Sequence, residues 1–168
     1  QIYGNGSVEK NEISISTDND WKEIINKITA YIKNIFDYNA KITRGSGDFS
    51  KIRIHSKLII HHLQKNKLLK NSSIEMKFPE KLLLSKPNVV FAFLSGYFDA
   101  GGCVLKGKKV YKLDSINKDF LIIVQNILSS FGIVSKLHIQ NREKLGWLDL
   151  YTLTINGEKS QRLFTKYM

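Results

Sequence analysis

The chain has 168 residues, 42% of them hydrophobic and 11% aromatic, which is enough to bury a core and too apolar for a disordered segment. Lys and Arg number 26 against 15 acidic residues, a formal charge of +11, so a polyanionic partner is expected, nucleic acid before an anionic membrane surface. The single cysteine, Cys103, excludes an internal disulfide and suits a reducing compartment, and no apolar run reaches the roughly 18–20 residues of a bilayer span.

Gln1-Ile2-Tyr3-Gly4-Asn5-Gly6 reads as a turn and not as a secretory leader. An opening on Gln points to a fragment or processed product, with an intracellular location (cytoplasm or nucleoid) expected. Residues 1–16 alternate as a hairpin around Gly4-Asn5-Gly6 and Val8–Glu12, with Ile13 and Ile15 on one face and Ser14 and Ser16 on the other. Ser16 to Asp20 supplies helix-capping chemistry, followed by Trp21, Ile24, Ile25, Ile28, Ile32, Ile35 and Phe36 at helical spacing. Strands over 40–44 and 50–55 flank Gly45-Ser46-Gly47-Asp48, and a helix over 57–69 follows. Residues 87–99 predict an apolar helix with Pro87 at its first position and Ser85 as its cap.

From Cys103 the order of elements returns. Residues 103–113 alternate around Lys106-Gly107-Lys108. A helix then carries Phe120, Ile123, Val124, Ile127, Leu128 and Phe131 as its stripe. Strands over 133–140 and 148–156 and a final helix from Glu158 complete the copy. Aligning Asp20-Trp21 with Asp119-Phe120 gives an offset of ninety-nine residues. Each copy is therefore β-β-α-β-β-α.

Between the copies stands Leu94-Ser95-Gly96-Tyr97-Phe98-Asp99-Ala100-Gly101-Gly102. It is an apolar helix with small residues on one side, ending on an acid and two glycines before a strand. The stretch resembles the LAGLIDADG signature of homing endonucleases, and the doubled β-β-α-β-β-α order around it matches that family over some 160 residues. The resemblance implies an α+β fold of two pseudo-twofold related halves forming a DNA-binding saddle around a central signature helix. On this basis residues 1–76 would form the first half, its signature helix missing, and residues 77–168 the second, with its signature helix at 87–99. Ala92, Ser95 and Gly96 would be the close-contact face, open to self-association where a partner helix is lacking.

The resemblance also implies site-specific cleavage of double-strand DNA by an intein- or intron-encoded enzyme that uses Mg²⁺. Hydrolysis of a phosphodiester needs an activated water and charge neutralisation at the attacking and leaving oxygens, which divalent ions on carboxylates supply. In the family each signature helix gives one carboxylate and a neighbouring main-chain carbonyl. By position these are Gly101, which has no side chain, and the carbonyl of Ala100. Asp99 matches the acidic position that supports the helix end and turn, and is a weak second candidate for metal. Lys77, in Glu75-Met76-Lys77-Phe78-Pro79-Glu80, resembles the lysine of the Lys-Ile-Pro segment in intein-type members, where it stabilises the transition state or the attacking water. With the gap before Gln1, both expected carboxylates are missing and cleavage deficiency is expected.

DNA contact is the stronger expectation from the residues themselves. Lys51, Arg53 and His55 share one strand face, Ile52 and Ile54 the other, and Lys136, His138, Gln140 and Arg142 alternate likewise. Two-stranded ribbons fit the major groove, where Arg and Lys pair with guanine and Gln or Asn with adenine. Lys41, Arg44, Lys106, Lys108, Lys109 and Lys112 extend the basic surface toward phosphates. The alternatives are a relative that binds DNA or structured RNA without cutting, such as an intron maturase, and a small α/β enzyme unrelated to nucleic acid. His55, His61 and His62 do not make a four-ligand zinc set. Self-splicing chemistry is absent from both ends.

Overall fold

The computed structural model describes residues 2–45, 47–70, 72–105 and 110–168. They belong to two compact units, Gln1–Lys70 and Asn71–Met168. The first unit runs α1 (Ile2–Asn5), β1 (Gly6–Glu9), β2 (Glu12–Asp18), α2 (Lys22–Phe36), β3 (Lys41–Arg44), β4 (Phe49–Ile54) and α3 (Lys57–Lys65). Its strands form one antiparallel sheet in the order β1-β2-β4-β3. Period-two alternation sets Ile13 opposite Ile54 and Ile15 opposite Ile52, and none of the four is more than 3% exposed. Ile25, Ile28 and Ile32 of α2, with Ile59, Ile60 and Leu63 of α3, close the core over them.

The second unit runs α4 (Glu80–Leu83), α5 (Pro87–Gly101), β5 (Gly102–Leu105), β6 (Val110–Ser115), α6 (Lys118–Ser130), β7 (Ser135–Gln140), a 3-10 turn (Glu143–Leu145), β8 (Leu150–Ile155) and α7 (Glu158–Tyr167). Its sheet order, β5-β6-β8-β7, reproduces that of the first unit. Leu113 sits opposite Leu153, and both are fully buried with Leu121, Val124 and Leu128 of α6. On α5, Phe91 stacks on Tyr167 of α7 at 4.5 Å, and Tyr97 packs against Phe120 of α6 at 4.8 Å.

Several expectations shift by a few residues, each for a local reason. The two compact units divide after Lys70, so residues 72–76 go with the second unit. Asn117 accounts for this: its Nδ2 donates to the carbonyls of Ile74 and Met76 while its Oδ1 caps α6 by accepting from Phe120 N. Ser85 does not cap α5; its hydroxyl donates back to Lys81 O, and Lys86 holds the cap position without a side-chain bond. Residues 16–20 do not cap α2 by a side chain either. Asp18 instead accepts from Asp20 N, and Trp21, 48% exposed, holds the cap position before the helix. α3 stops at Lys65, because Lys67 takes a left-handed conformation.

The first strands and the first long helices of the two copies correspond at an offset of ninety-six, not ninety-nine. The buried stripe Ile25, Ile28, Ile32 of α2 falls on Leu121, Val124, Leu128 of α6, and Lys22 and Lys118 each begin their helix. At the same offset Gly6 matches Gly102, the first residue of β1 and of β5. Both are forced by the same close approach. A Cβ on Gly102 would lie 2.6 Å from the carbonyl oxygen of Phe98, four residues back, and one on Gly6 would strike the carbonyl of Ile2, also four residues back. The opening residues are thus not a plain turn: α1 enters β1 as α5 enters β5. Gly102→Ala is expected to destabilise the second unit by about 1–3 kcal/mol, measured by urea unfolding. An unchanged midpoint would show that this junction is slack.

Candidate nucleic-acid interface and helix-end site

Each sheet has one face covered by helices and one left open. On the face of the first turned from the helices, cross-strand pairing lines up Ser14, itself buried, with Arg53 and Lys41 in one row and Ser16, Lys51 and Thr43 in the next. Arg44 does not join them. It pairs with Ser50, two residues from Ile42, on the side that buries Ile52. Arg53 is not a free cation either. Its Nη1 lies 2.5 Å from Glu12 Oε1, its Nε donates to Thr43 Oγ1, and His55 Nδ1 stands 3.4 Å from Glu12 Oε2. Lys41 is exposed, and Lys51 Nζ lies 6.0 Å from the Phe49 ring.

On the second sheet the rows on the face turned from the helices are Cys103, Lys112, Thr154 (itself buried), Lys136 and then Asp114, Thr152, His138, with Gln140 beside Leu150. Thr152 donates to Asp114 at 2.5 Å. Counting rows outward from Gly6 and Gly102, Lys41 and Lys136 hold the same place on the edge strand. Arg142 lies beyond β7 and folds onto its own loop, donating to Leu148 O and lying 5.6 Å from the Trp147 ring. Lys106, Lys108 and Lys109 lie outside the described residues. Lys77 is exposed between buried Met76 and Phe78, so its ammonium is turned away from the core.

The end of α5 carries Asp99, Ala100 and Gly101, with Asp99 and Gly101 exposed. A Cβ on Gly101 would meet nothing closer than 3.9 Å, so a side chain would fit there. At the offset of ninety-six the same three places at the end of α1 are Tyr3, Gly4 and Asn5. Asn5 is therefore the counterpart of Gly101 and brings an amide. It escapes a reading that pairs Asp20-Trp21 with Asp119-Phe120, which sets the copies three residues out of step; Gly4-Asn5-Gly6 against Ala100-Gly101-Gly102 was the available signal. The same end of α1 holds Lys70, whose Nζ donates to Gly4 O at 2.7 Å and Tyr3 O at 2.9 Å. Burial pushes the Lys70 ammonium below its usual pKa.

A divalent metal does not fit these residues. Among the described residues no three of His, Cys, Asp and Glu come together as a ligand set. Among the described residues of α1 and α5, Asp99 is the one carboxylate, and the Gly4 carbonyl already accepts from an ammonium. Hard divalent cations need several oxygen ligands with carboxylate charge among them.

Residues 88–168 match the family model described as a LAGLIDADG-like domain. The second unit is thus a LAGLIDADG-like α+β domain, and the fold of the chain is that of LAGLIDADG homing endonucleases. A solved complex of the homing endonuclease I-DmoI with DNA and Ca is 19% identical, with a TM-score of 0.70, covering 98% of this chain and 83% of that one. Other solved structures are of I-DmoI with DNA and Mn, and of a variant of it with target DNA in the presence of Mg. In sequence, the chain is 27% identical over 168 residues to glutamine–fructose-6-phosphate aminotransferase of Methanocaldococcus jannaschii, and 24% identical over 171 residues to a probable translation initiation factor IF-2 of Thermococcus kodakarensis. It spans 99% of itself in each match but only 15% and 14% of those proteins. Among the described residues, no helix is long and apolar enough to cross a membrane.

Proposed function

We propose that this chain is a DNA-binding LAGLIDADG module of the homing-endonuclease type, carried as an insert in a longer protein, that binds duplex DNA without cutting it. The observation that carries the binding is the recurrence of an open sheet face with a lysine at the same edge position, Lys41 in one unit and Lys136 in the other. Lys51, His138 and Gln140 stand on the same faces as groups for phosphates and base edges. Lys77 adds a fixed positive charge beside the backbone. An aminotransferase and an initiation factor share no activity, so a segment common to both serves neither. An intein- or intron-encoded insert accounts for it.

Loss of cleavage follows from charge. At the two matching helix ends stand Asn5 and Gly101, and neither can offset a metal or orient its water. Duplex targets selected from a random library by binding are expected to be retained by the chain and to stay intact with Mg²⁺ or Mn²⁺. Metal-dependent cutting by the unaltered chain would refute the non-cleaving reading. Tighter binding to structured intron RNA than to selected duplex would transfer the assignment to a maturase-like role.

A further inference from the structure

We propose that the ammonium of Lys70 occupies, in the first unit, the cation position at the signature-helix end, so that this unit works without a divalent metal. The inference rests on the family assignment but not on DNA binding. The last carbonyls of a helical turn lack acceptor duty within the helix and need outside donors. Here Tyr3 O and Gly4 O both point at one nitrogen, supplied from 66 residues away in sequence. Nothing local in the chain demands that contact.

Charge explains why the substitution is self-consistent. A divalent ion beside an aspartate leaves a net charge of about +1, and so does an ammonium beside an asparagine amide. Asn5 and Lys70 therefore belong together: they conserve the field presented at the helix end while removing the ion. Asn5 paired with a metal would be short of ligand charge. An aspartate paired with Lys70 would form an ion pair and present no net charge. Asn5 is exposed, and Gly4 and Lys70 are only partly buried, so this helix end is accessible to solvent.

Binding of Mn²⁺ alone, followed by loss of the free-ion paramagnetic resonance signal, tests this. The unaltered chain and Asn5→Asp are both expected to lack a tight site. Asn5→Asp with Lys70→Met is expected to gain one, at least about tenfold tighter than Asn5→Asp. If the Met variant fails to melt cooperatively, Asn5→Asp with Lys70→Gln replaces it, since the amide still donates to a carbonyl. Mn²⁺ binding by Asn5→Asp as tight as by the folded double variant would overturn the proposal, because the ammonium would then not hold the site. So would a folded double variant with no gain. Failure of duplex binding in the separate selection would leave this result untouched.

Discussion

Leu153→Ala is expected to lower the stability of the second unit by about 2–5 kcal/mol. Leu153 has no exposed surface and lies on β8, the inner strand flanked by β6 and β7. Its cross-strand neighbours are Leu113 and Leu137, and Leu121, Val124 and Leu128 of α6 are buried with it. Removing three carbons there loses their transfer energy and leaves a void that a two-sided neighbourhood of sheet and helix cannot close. For a unit of roughly 100 residues the midpoint of thermal unfolding should fall by about 10 °C or more. A shift below about 1 kcal/mol in urea unfolding, read by far-ultraviolet circular dichroism, would mean that the sheet and α6 are not in close contact. Ile139→Ala provides the contrast. It is 62% exposed on the neighbouring strand and should change stability little.

What the chain disclosed before its structure was known follows from the range of each signal. Ile13 with Ile15, Ile52 with Ile54, and Ile25, Ile28 and Ile32 are local periodicities, and these residues are buried as the spacing required, whereas Ile35 at the end of the same stripe is 69% exposed. The signature helix was legible through composition, down to Pro87 at its start. Its end was not: the helix runs on to Gly101 because Gly102 can approach the Phe98 carbonyl as no other residue could. Trp21 misled because a tryptophan ahead of an apolar stripe reads as part of it, whereas an Asx turn at Asp18 leaves it outside. That same error displaced the alignment and hid Asn5. The partners of the basic residues were illegible for another reason. Glu12 reaches Arg53 across 41 residues, and Lys70 reaches Gly4 across 66. Strand register and chain return create those pairs, and one-dimensional patterning carries neither.

The distinction between free and engaged cations determines which substitutions alter DNA binding. Changing Lys41, Lys51 and Lys136 together to alanine is expected to reduce the slope of log affinity against log salt by about 3 for duplex DNA, since each phosphate left without its lysine keeps about one counterion on binding. These side chains lie on open sheet faces, and no carboxylate pairs with them in any ion pair found among the described residues. Arg53→Ala should behave differently although it sits in the same row as Lys41. Glu12 already engages its guanidinium, so Arg53 is not counted among the phosphate contacts, and its removal leaves Glu12, only 13% exposed, without its closest cation. The cost should appear in stability of the first unit and hardly at all in the salt slope. Equal slopes for the triple lysine variant and the unaltered chain, with both folded, would show that the open faces are not where the phosphates lie. A slope change from Arg53→Ala as large as that from Lys41→Ala would show that the Glu12 pair opens on DNA.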